Sequence, residues 1–571
     1  MQKFHNHYST KSTPQDQPIP GRESEMVKGH AGGFVFPVDD WTMLNRFLIL
    51  GTEGGSYYAT EQKMTIESAQ SVARCIKADG IRTVKTIVEI SDAGRAPKNG
   101  PALFALAMCS AMGDQETKKI AFDALPKVAR IGTHLFNICE YRKAFAGWGR
   151  GWRNAVSKWY TEKDVERLAY QLIKYRQRDG WSHTDVLRLS HPSASGEMNL
   201  ALGWATGKIM FENGIFFSTT KTGTKENKDV RWVKNKPVDW SLGLKQILGF
   251  EIIQRAENKK SVIAAIKEYK LPWETVPTQH LAHADVWETL LPGLPINATI
   301  RNLGRMSANG LLSQGSQAVK DVVAKLSDEE AVMKSRLHPI AALSAMKIYG
   351  QGHGGKGKLT WKPVRQICDA LDDLFYASFG NVEPIGKPIC LALDVSGSMS
   401  WSAVAGVQGL DCRMASAAMA MVTARVEKDY EIMGFSSSFV PLDISPKMRL
   451  DTVLEKISNL PFSATDCAIP MIWASGRNAT SMRPFLPKRA SRVLPFDAFV
   501  IYTDSETWCG EEHPTQALQR YRSASGRPAK LVVVGMVGNQ FSIADPKDAG
   551  TMDVVGFDTA APNIISNFIR G

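Results

Sequence analysis

Apolar residues recur three or four positions apart through most of the first 380 residues, which is the spacing of one face of an α-helix. Pro101 precedes and Gly113 follows one such segment, Ala102–Met112, as expected where helices begin and end. Further helices are predicted at Met64–Ala78, Thr117–Arg130, His134–Phe145, Trp152–Tyr160, Val165–Arg176 and Thr184–Ser190. Short helices in unbroken succession, with little strand signal, predict an α-solenoid of stacked helix pairs.

The pattern changes near residue 380, where short apolar runs begin to alternate with helical segments. Ile389–Leu393 is a continuous apolar run that ends at Asp394, as is typical of a buried parallel strand. Further strands are predicted at Tyr430–Gly434, Phe496–Tyr502 and Lys530–Met536, and helices at Arg413–Val426, Leu450–Leu460, Asp466–Ser475 and Pro514–Tyr521. This alternation predicts a doubly wound α/β domain.

These patterns divide the chain into three parts. Residues 1–30 are polar, contain several prolines and show no periodicity, so we expect a flexible N-terminal tail. Residues 31–380 form the helical domain and residues 381–571 form the α/β domain. The fold class is therefore a multidomain α plus α/β protein.

Composition restricts the class of protein further. With 571 residues, 44% of them hydrophobic, the chain has enough material for several cores. No run approaches the ~18 apolar residues that a membrane helix needs, and residues 1–26 contain no apolar signal core. The eight cysteines are scattered without a C-x-x-C pair, which favours buried, reduced thiols. We therefore expect a cytoplasmic protein that is neither secreted nor bound to a membrane.

Positive charge is concentrated in the helical part. Residues 371–571 contain 18 basic and 21 acidic side chains, a balance of −3, out of 69 and 57 in the whole chain. By difference, the first 370 residues carry 51 basic and 36 acidic side chains, a balance of +15. Such a basic unit suggests a polyanionic partner, and charge alone leaves nucleic acid and a membrane surface both open.

A set of oxygen-bearing side chains follows the predicted strands of the α/β domain. Asp394, Ser396 and Ser398 come directly after the first strand, at the sheet edge where α/β proteins bind ligands. Thr465 precedes a helix, and Asp504 follows the strand Phe496–Tyr502. Hydroxyl and carboxylate oxygens with only two carboxylates suit Mg²⁺. Asp and Ser are also common turn and N-cap residues, which is the alternative for each loop taken alone.

The most promising basic segment is Lys174-Tyr175-Arg176-Gln177-Arg178. Lys174 and Arg178 lie four residues apart and would share one face of a helix. The segment is followed by aromatic and basic residues that could stack on bases or contact phosphate, namely Trp181, His183, Arg188 and His191. The alternative is a solvated helix end beside a core tryptophan.

Over residues 32–571 the chain resembles the Ro ribonucleoprotein autoantigen family, and its metal loops resemble the metal-ion-dependent adhesion site of a von Willebrand factor A domain. The residues that carry the family resemblance are Asn45–Leu48, Gly51–Tyr58, Ile131–Phe136, Gly180–His183, Leu187–His191, Arg301–Met306, Gly352-His353, Lys358–Pro363 and Thr465–Met471. Lys221–Lys236 departs from the family pattern, and we interpret it as a mobile basic loop.

The resemblance implies a ring-shaped helical domain of HEAT-like repeats, the TROVE module, closed by the A domain. Members of this family bind small noncoding Y RNAs on the outer surface of the ring and single-stranded 3′ ends of misfolded RNAs in its central hole. The positions implicated in Y RNA binding match Lys174, Arg178 and His191.

The resemblance also implies roles at the metal site. In the family of A domains the two serines and the threonine contact the metal directly, and the two aspartates commonly act through water. By this match Ser396, Ser398 and Thr465 are expected to be direct ligands, with Asp394 and Asp504 beyond them.

Three functions are compatible with these observations. The first is a monomeric, non-enzymatic RNA-binding protein in RNA quality control or processing. Its bound Mg²⁺, or another divalent cation, would recruit a ribonuclease or another protein by binding an acidic side chain of that partner. The second is a protein-interaction scaffold whose basic solenoid binds acidic proteins. The third, a metal-dependent nuclease, lacks an evident general base. Steep salt dependence of RNA binding separates the first from the second, and RNA turnover tests the third.

Overall fold

The computed structural model covers most of both predicted domains. Of the sequence features above, residues 52–58 of the glycine-rich family match, residues 64–68 of the first predicted helix and parts of the 221–236 segment lie outside the described residues. The described residues are 12–51, 69–212, 215–222, 229–234, 240–354, 358–380, 382–400, 404, 410–442, 444–460, 463–476 and 493–571.

The first part of the chain is a succession of short helices, as the apolar spacing predicts. Helix α2 has a kink at Asp79. Helices α2, α3, α4 and α6 each contact the next helix but one, which is the arrangement of stacked helix pairs. No helix within the described ranges is both long and apolar enough to cross a membrane. The helices are α1 Asp40–Leu50, α2 Gln70–Asp92, α3 Gly100–Met112, α4 Gln115–Val128, α5 Gly132–Phe145, α6 Arg150–Thr161, α7 Val165–Lys174, α8 His183–Ser190, α9 Gly196–Ala205, α10 Leu242–Gln254, α11 Lys259–Tyr269, α12 Ala284–Leu290, α13 Ile296–Ala308, α14 Gln317–Leu326, α15 Glu329–Ser335, α16 Pro339–Gly350 and α17 Arg365–Ala377.

The helical part also contains strands that the apolar spacing did not predict. Strand β1 (Val27–Lys28) pairs with β2 (Phe34–Pro37), and β3 (Gln177–Arg178) pairs with β4 (Trp181–Ser182). A three-stranded antiparallel sheet comprises β5 Ile209–Glu212, β6 Ile215–Thr222 and β7 Asp229–Lys234. The prediction of a basic loop at 221–236 is therefore wrong for residues 221–222 and 229–234, where the β-branched and aromatic content favours strands.

The second part is a six-stranded sheet with helices on both faces. The strand order is β10 (Phe439–Pro441), β9 (Tyr430–Phe435), β8 (Ile389–Asp394), β11 (Ala498–Thr503), β12 (Lys530–Gly535) and β14 (Thr551–Val555), and every pair is parallel except β10 with β9. Strand β8 lies beside β11, so the ends of these two strands meet at one edge of the sheet. The remaining elements are α18 Cys412–Val426, α19 Leu450–Ser458, α20 Ile469–Ala474, α21 Pro514–Ser525, β13 Phe541–Ser542 and α22 Ala561–Arg570.

Side chains along each central strand alternate between two cores, because successive residues of a strand point to opposite faces. On β11, Ala498, Val500 and Tyr502 belong to one core, and Phe499 and Ile501 belong to the other. The first core also contains apolar residues of α18 and α19, and it continues without interruption into the helical domain. The A domain thus packs against the helices through one face of its sheet.

The prediction of a flexible tail over residues 1–30 is wrong for residues 12–30. This segment continues into β2, and we call residues 12–37 the N-terminal strap. Thr13, Gln15, Ile19 and Arg22 are buried in it. Strand β2 pairs with β13 of the A domain, so the strap adds backbone hydrogen bonds to a distant part of the chain. Polar residues with prolines carry no periodic signal, and the strap gains its order from contacts across the fold.

The beginning and the end of the helical series meet beside the A domain. Arg95, just after α2, donates to the Asp558 carboxylate through Nε at 3.0 Å and Nη2 at 2.6 Å. Asp92 at the end of α2 forms an ion pair with Arg336 after α15, at 3.1 Å. His338 Nε2 lies 3.2 Å from the Arg95 carbonyl oxygen and 2.8 Å from that of Phe557. The helices therefore form a closed ring whose junction includes the A domain.

Acidification is expected to weaken this junction. Burial lowers the pKa of His338 to about 4. In the neutral imidazole, the Nε2–H group donates to the junction carbonyl oxygens and Nδ1 accepts the Ile340 N–H at 3.1 Å. A proton added to Nδ1 on acidification would point at the Ile340 N–H and replace this hydrogen bond by repulsion. Since the unfolded histidine titrates near pH 6.5, stability is complete above that pH and falls by up to about 3 kcal/mol as the pH falls to 4.

Urea unfolding of the wild type and His338→Gln at pH 7 and pH 4.5 measures this effect. The variant should lose less stability than the wild type between the two pH values, because it removes this titration and leaves the other buried histidines in place. Equal losses in both proteins would contradict the assignment to His338.

Candidate metal centre and nucleic-acid interface

The three loops that the sequence singled out meet at the carboxyl edge of the A-domain sheet. Thr503 Oγ1, at the end of β11, donates to Asp394 Oδ2 at the end of β8 at 2.6 Å. The Gly397 N–H points to the Ser463 carbonyl oxygen at 3.5 Å, and the Cys467 N–H donates to Thr507 Oγ1 at 3.1 Å. The adjacent parallel strands β8 and β11 place the first and third loops together, and α20 begins beside them with the second.

The predicted ligands of the metal centre are all buried in these loops. Asp394 Oδ1 accepts the Ser396 N–H at 2.9 Å, which orients the carboxylate toward its own loop. The hydroxyls of Ser396 and Ser398 lie 3.0 Å apart. Asp394, Ser396, Ser398, Thr465 and Asp504 are each at most 6% exposed. The fold therefore brings the oxygen atoms of Asp394, Ser396, Ser398 and Asp504 together in one buried cluster, and Thr465 is buried in the second loop beside it.

The electrostatics of the cluster favour a bound cation. Burial, together with the charges of Asp394 and Glu506, raises the pKa of Asp504 to about 8. Burial also raises the pKa of Asp394, whereas the positive charge of Arg413 acts to lower it by favouring the ionised carboxylate. Asp504 Oδ2 is buried without a well-aligned hydrogen-bond donor among the described residues, although the Ser398 hydroxyl is near enough to favour the carboxylate.

The residues fit a hard divalent cation. A buried carboxylate oxygen without a donor is costly, and a cation beside two carboxylates removes both that cost and their mutual repulsion. The donors are hydroxyl and carboxylate oxygens, the type that Mg²⁺ prefers. Within the described ranges no three His, Cys, Asp or Glu side chains come together as a metal site, so a softer thiolate or imidazole site has no support there.

The basic segment is divided by the structure. Helix α7 ends at Lys174, so Lys174 and Arg178 do not share a helical face as predicted, and Arg178 lies in the short hairpin β3–β4. Lys174 is 12% exposed, donates to the Tyr170 hydroxyl at 2.9 Å and pairs with Glu274 at 3.3 Å. The charge of Lys174 is therefore already neutralised by Glu274, and because Glu274 lies 100 residues further along the chain, sequence spacing could not predict this pair.

Arg178, Arg188 and His191 present a different environment. All three are exposed, and neither arginine forms an ion pair with a described residue, although the Arg178 guanidinium donates to the carbonyl oxygens of Gln177 at 2.7 Å and Lys174 at 3.4 Å. His191 ends α8 in the left-handed conformation, with a φ of 50°, and Arg188 lies three residues before it. Arg178 lies in the hairpin before α8 and His191 at the end of α8, and exposed basic side chains of this kind can contact RNA phosphate.

Trp181 and His183, by contrast, make structural contacts. His183 is buried, with Nδ1 2.9 Å from the Tyr160 hydroxyl, and burial lowers its pKa to about 3. Trp181 is partly buried, and its Nε1 donates to Glu140 at 2.8 Å. These contacts favour the interpretation of the tryptophan as a packing residue.

Comparisons with known proteins match both parts of the chain. A model of the TROVE domain matches residues 27–348, and a model of the Ro60 vWA domain matches residues 388–569. The RNA-binding protein RO60 of Deinococcus radiodurans is 38% identical over 560 residues, covering 98% of this chain and 97% of that protein. The chain belongs to the Ro60 family. The RNA-binding protein RO60 of Caenorhabditis elegans is 36% identical, covering 95% of this Ro60-family chain and 90% of its relative.

A solved structure agrees with the fold of this Ro60-family protein. The crystal structure of the Deinococcus radiodurans RO (RSR) protein matches with a TM-score of 0.67 and 37% identity, covering 93% of this chain and all of that one. The family resemblance and the fold class predicted from the sequence are thereby confirmed. Both Ro60 relatives are named as RNA-binding proteins and not as enzymes, in agreement with the prediction of a non-enzymatic protein.

Proposed function

We propose that this chain is an RNA-binding protein of small ribonucleoproteins, and the observation that carries the proposal is its near full-length similarity to RNA-binding Ro60 proteins. The +15 balance of the first 370 residues supports it, because phosphate neutralisation drives such binding. Arg178, Arg188 and His191 are exposed, and neither arginine forms an ion pair with a described residue, so all three are available to RNA phosphate. The eight cysteines are free, which suits the reducing cytoplasm where we expect the protein to act.

We further propose that two classes of RNA bind two different surfaces of the protein. Structured Y-type RNAs would bind the outer surface of the ring through Arg178 and His191, with Lys174 acting only if Glu274 releases it. Single-stranded 3′ ends of misfolded RNAs would enter the central hole, as expected for RNA quality control. Crosslinking in cells followed by sequencing of the bound RNA separates the two. One dominant structured RNA supports the first, and a varied set of 3′ ends supports the second.

Removing Arg178 and Arg188, which form no ion pair with a described residue, is expected to weaken RNA binding. Each lost charge-assisted contact is worth about 1.5 kcal/mol, so Arg178→Ala/Arg188→Ala should bind a labelled stem-loop RNA ~100-fold more weakly. The slope of log affinity against log salt should also decrease by ~2. Fluorescence anisotropy between 50 and 200 mM salt measures both quantities.

Arg167→Ala is the matched control for this experiment. Arg167 lies at the start of α7, is exposed and pairs with Asp164 at 3.2 Å, so its loss should leave the affinity unchanged. Equal weakening by the control and the double variant would show that general charge, and not this surface, determines binding. Failure of the wild type to bind the labelled RNA even at 50 mM salt would favour the protein-interaction scaffold instead.

For the A domain we propose that Mg²⁺ binds at the sheet edge and recruits a protein partner. The Ser396, Ser398 and Thr465 hydroxyls would hold the ion directly, with Asp394 and Asp504 acting through water. The buried, donor-poor Oδ2 of Asp504 supports this proposal. The bound ion would supply an open coordination position for an acidic side chain of another protein, such as a ribonuclease.

A further inference from the structure

A buried glutamine of the N-terminal strap contacts two of the metal loops. Gln15 Nε2 donates to Asp466 Oδ1 and to the Glu512 carbonyl oxygen, each at 2.7 Å. Gln15 Oε1 accepts from the Thr507 hydroxyl. Asp466 directly follows the predicted ligand Thr465, and Thr507 lies three residues after Asp504. The Gln15 side chain therefore joins the second metal loop to the third.

The hydrogen bonds continue from Thr507 into the second loop. The Thr507 hydroxyl, besides donating to Gln15, accepts the Cys467 N–H at 3.1 Å. The Thr465 carbonyl oxygen accepts the Trp508 N–H at 3.1 Å. Gln15 thus adds a further connection between two loops that also contact each other directly through Thr507 and Trp508.

The strap also contacts Glu506, an acidic residue two positions after Asp504. Glu506 is buried, and its Oε2 accepts the Ala31 N–H at 2.9 Å. Its Oε1 lies 2.8 Å from His30 Nδ1. The third metal loop is therefore held by the strap at both Glu506 and Thr507.

Two glycines permit this close approach. A Cβ atom on Gly510 would lie 2.3 Å from Gln15 Nε2 and 2.5 Å from Asp466 Oδ1. A Cβ atom on Gly33 would lie 1.8 Å from the Thr507 carbonyl oxygen. The strap and the loops are in contact along their backbones, with no room for intervening side chains.

From this arrangement we infer that Gln15 is a positioning residue of the metal centre, so that the strap determines metal affinity although it supplies no ligand. The inference rests on the proposed binding of Mg²⁺ by the A domain. Gln15 precedes both stretches that match the family models, so neither of those matches includes it. Groups that orient the ligands of a metal are commonly worth 10- to 100-fold in metal affinity.

Calorimetric titration of the full chain with Mg²⁺ tests the inference. Gln15→Met keeps the length and volume of the side chain and removes its hydrogen bonds, so Mg²⁺ should bind 10- to 100-fold more weakly. Gln17→Met is the matched control, because Gln17 is exposed in the same strap and should leave the affinity within twofold. Equal affinity of Gln15→Met and the wild type would overturn the inference.

A second measurement needs only the wild-type protein and is unaffected if the variant fails to fold. Because coupling between sites is reciprocal, saturating Mg²⁺ should slow hydrogen exchange of strap amides by the same 10- to 100-fold factor. The relevant amides include Gln15, which donates to the Gly510 carbonyl oxygen at 2.9 Å, and Phe34, which donates to that of Gln15 at 2.7 Å. Exchange that is unchanged by bound Mg²⁺ would overturn the inference.

The two experiments distinguish failure of the inference from failure of the proposed metal site. If the wild type binds no Mg²⁺, the metal proposal is wrong and the inference falls with it. If the wild type binds Mg²⁺ but the affinity of Gln15→Met equals that of the wild type, or strap exchange is unchanged by Mg²⁺, only the positioning role is wrong.

Discussion

Replacing Asp394 by asparagine is expected to weaken Mg²⁺ binding more than about 100-fold, beyond the effect of losing a group that only orients ligands. Asp394 and Asp504 are the two carboxylates among the five predicted metal-site residues, and the negative charge of each attracts a cation. Asparagine has the same shape, its oxygen can still accept the Ser396 N–H, and its Nδ2, in place of Oδ2, would donate to the Thr503 hydroxyl that now donates to Asp394. The substitution therefore changes the charge of the centre and leaves its loop geometry in place.

The same substitution should leave the metal-free protein at least as stable as the wild type. Burial and the neighbouring carboxylate raise the pKa of Asp504 to about 8, and removing the Asp394 charge relieves that repulsion. Thermal unfolding in EDTA and in Mg²⁺ measures both effects. We expect a rise in Tm with Mg²⁺ for the wild type alone. A variant that keeps this rise would contradict the assignment of the site.

Replacing Arg46 by methionine is expected to lower the free energy of unfolding by about 3–5 kcal/mol, the cost of breaking a buried ion pair from one side. Arg46 lies in α1 and is 1% exposed. Its Nη2 donates to both oxygens of Asp553 at 2.8 Å, and its Nη1 donates to the Phe541 carbonyl oxygen at 3.0 Å and to that of Asn539. The substitution would strand a mostly buried carboxylate between α1 and β14.

Arg74→Met is the control for the loss of an arginine ion pair near the same helix. Arg74 pairs with Asp40 at 2.7 Å but is 52% exposed, so its loss should cost no more than about 1 kcal/mol. Urea unfolding of the two variants beside the wild type provides the comparison. Similar losses in both would show that Arg46 is not the main connection between α1 and the A domain.

The elements of the fold could be predicted because their signals are local. The apolar run Ile389–Leu393 became strand β8, which extends one residue further to Asp394. Alternation of strand and helix indicated the parallel sheet, and parallel strands place their carboxyl ends at one edge. The meeting of Asp394 and Asp504 therefore follows from sequence order and a general rule of α/β topology.

The order of the N-terminal strap could not be predicted in the same way. Residues 12–37 have few apolar positions, and their partners lie some 450 residues or more away in the chain, as for Gln15 with Asp466 and Arg22 with Asp545. Nothing in the local sequence specifies such pairing. It depends on the positions that the packed A domain gives to those partners.

The sequence by itself determined the two domains, the family and the residue types of the metal centre, because backbone preferences and apolar spacing act over a few residues. Only the tertiary structure decided which charged groups are available. Lys174 is neutralised by Glu274 from a distant turn, whereas Arg178 has no carboxylate partner among the described residues. It also decided that His338 joins both ends of the ring to the A domain. Such pairings depend on distances between elements far apart in the chain, and those distances are set when the elements pack together.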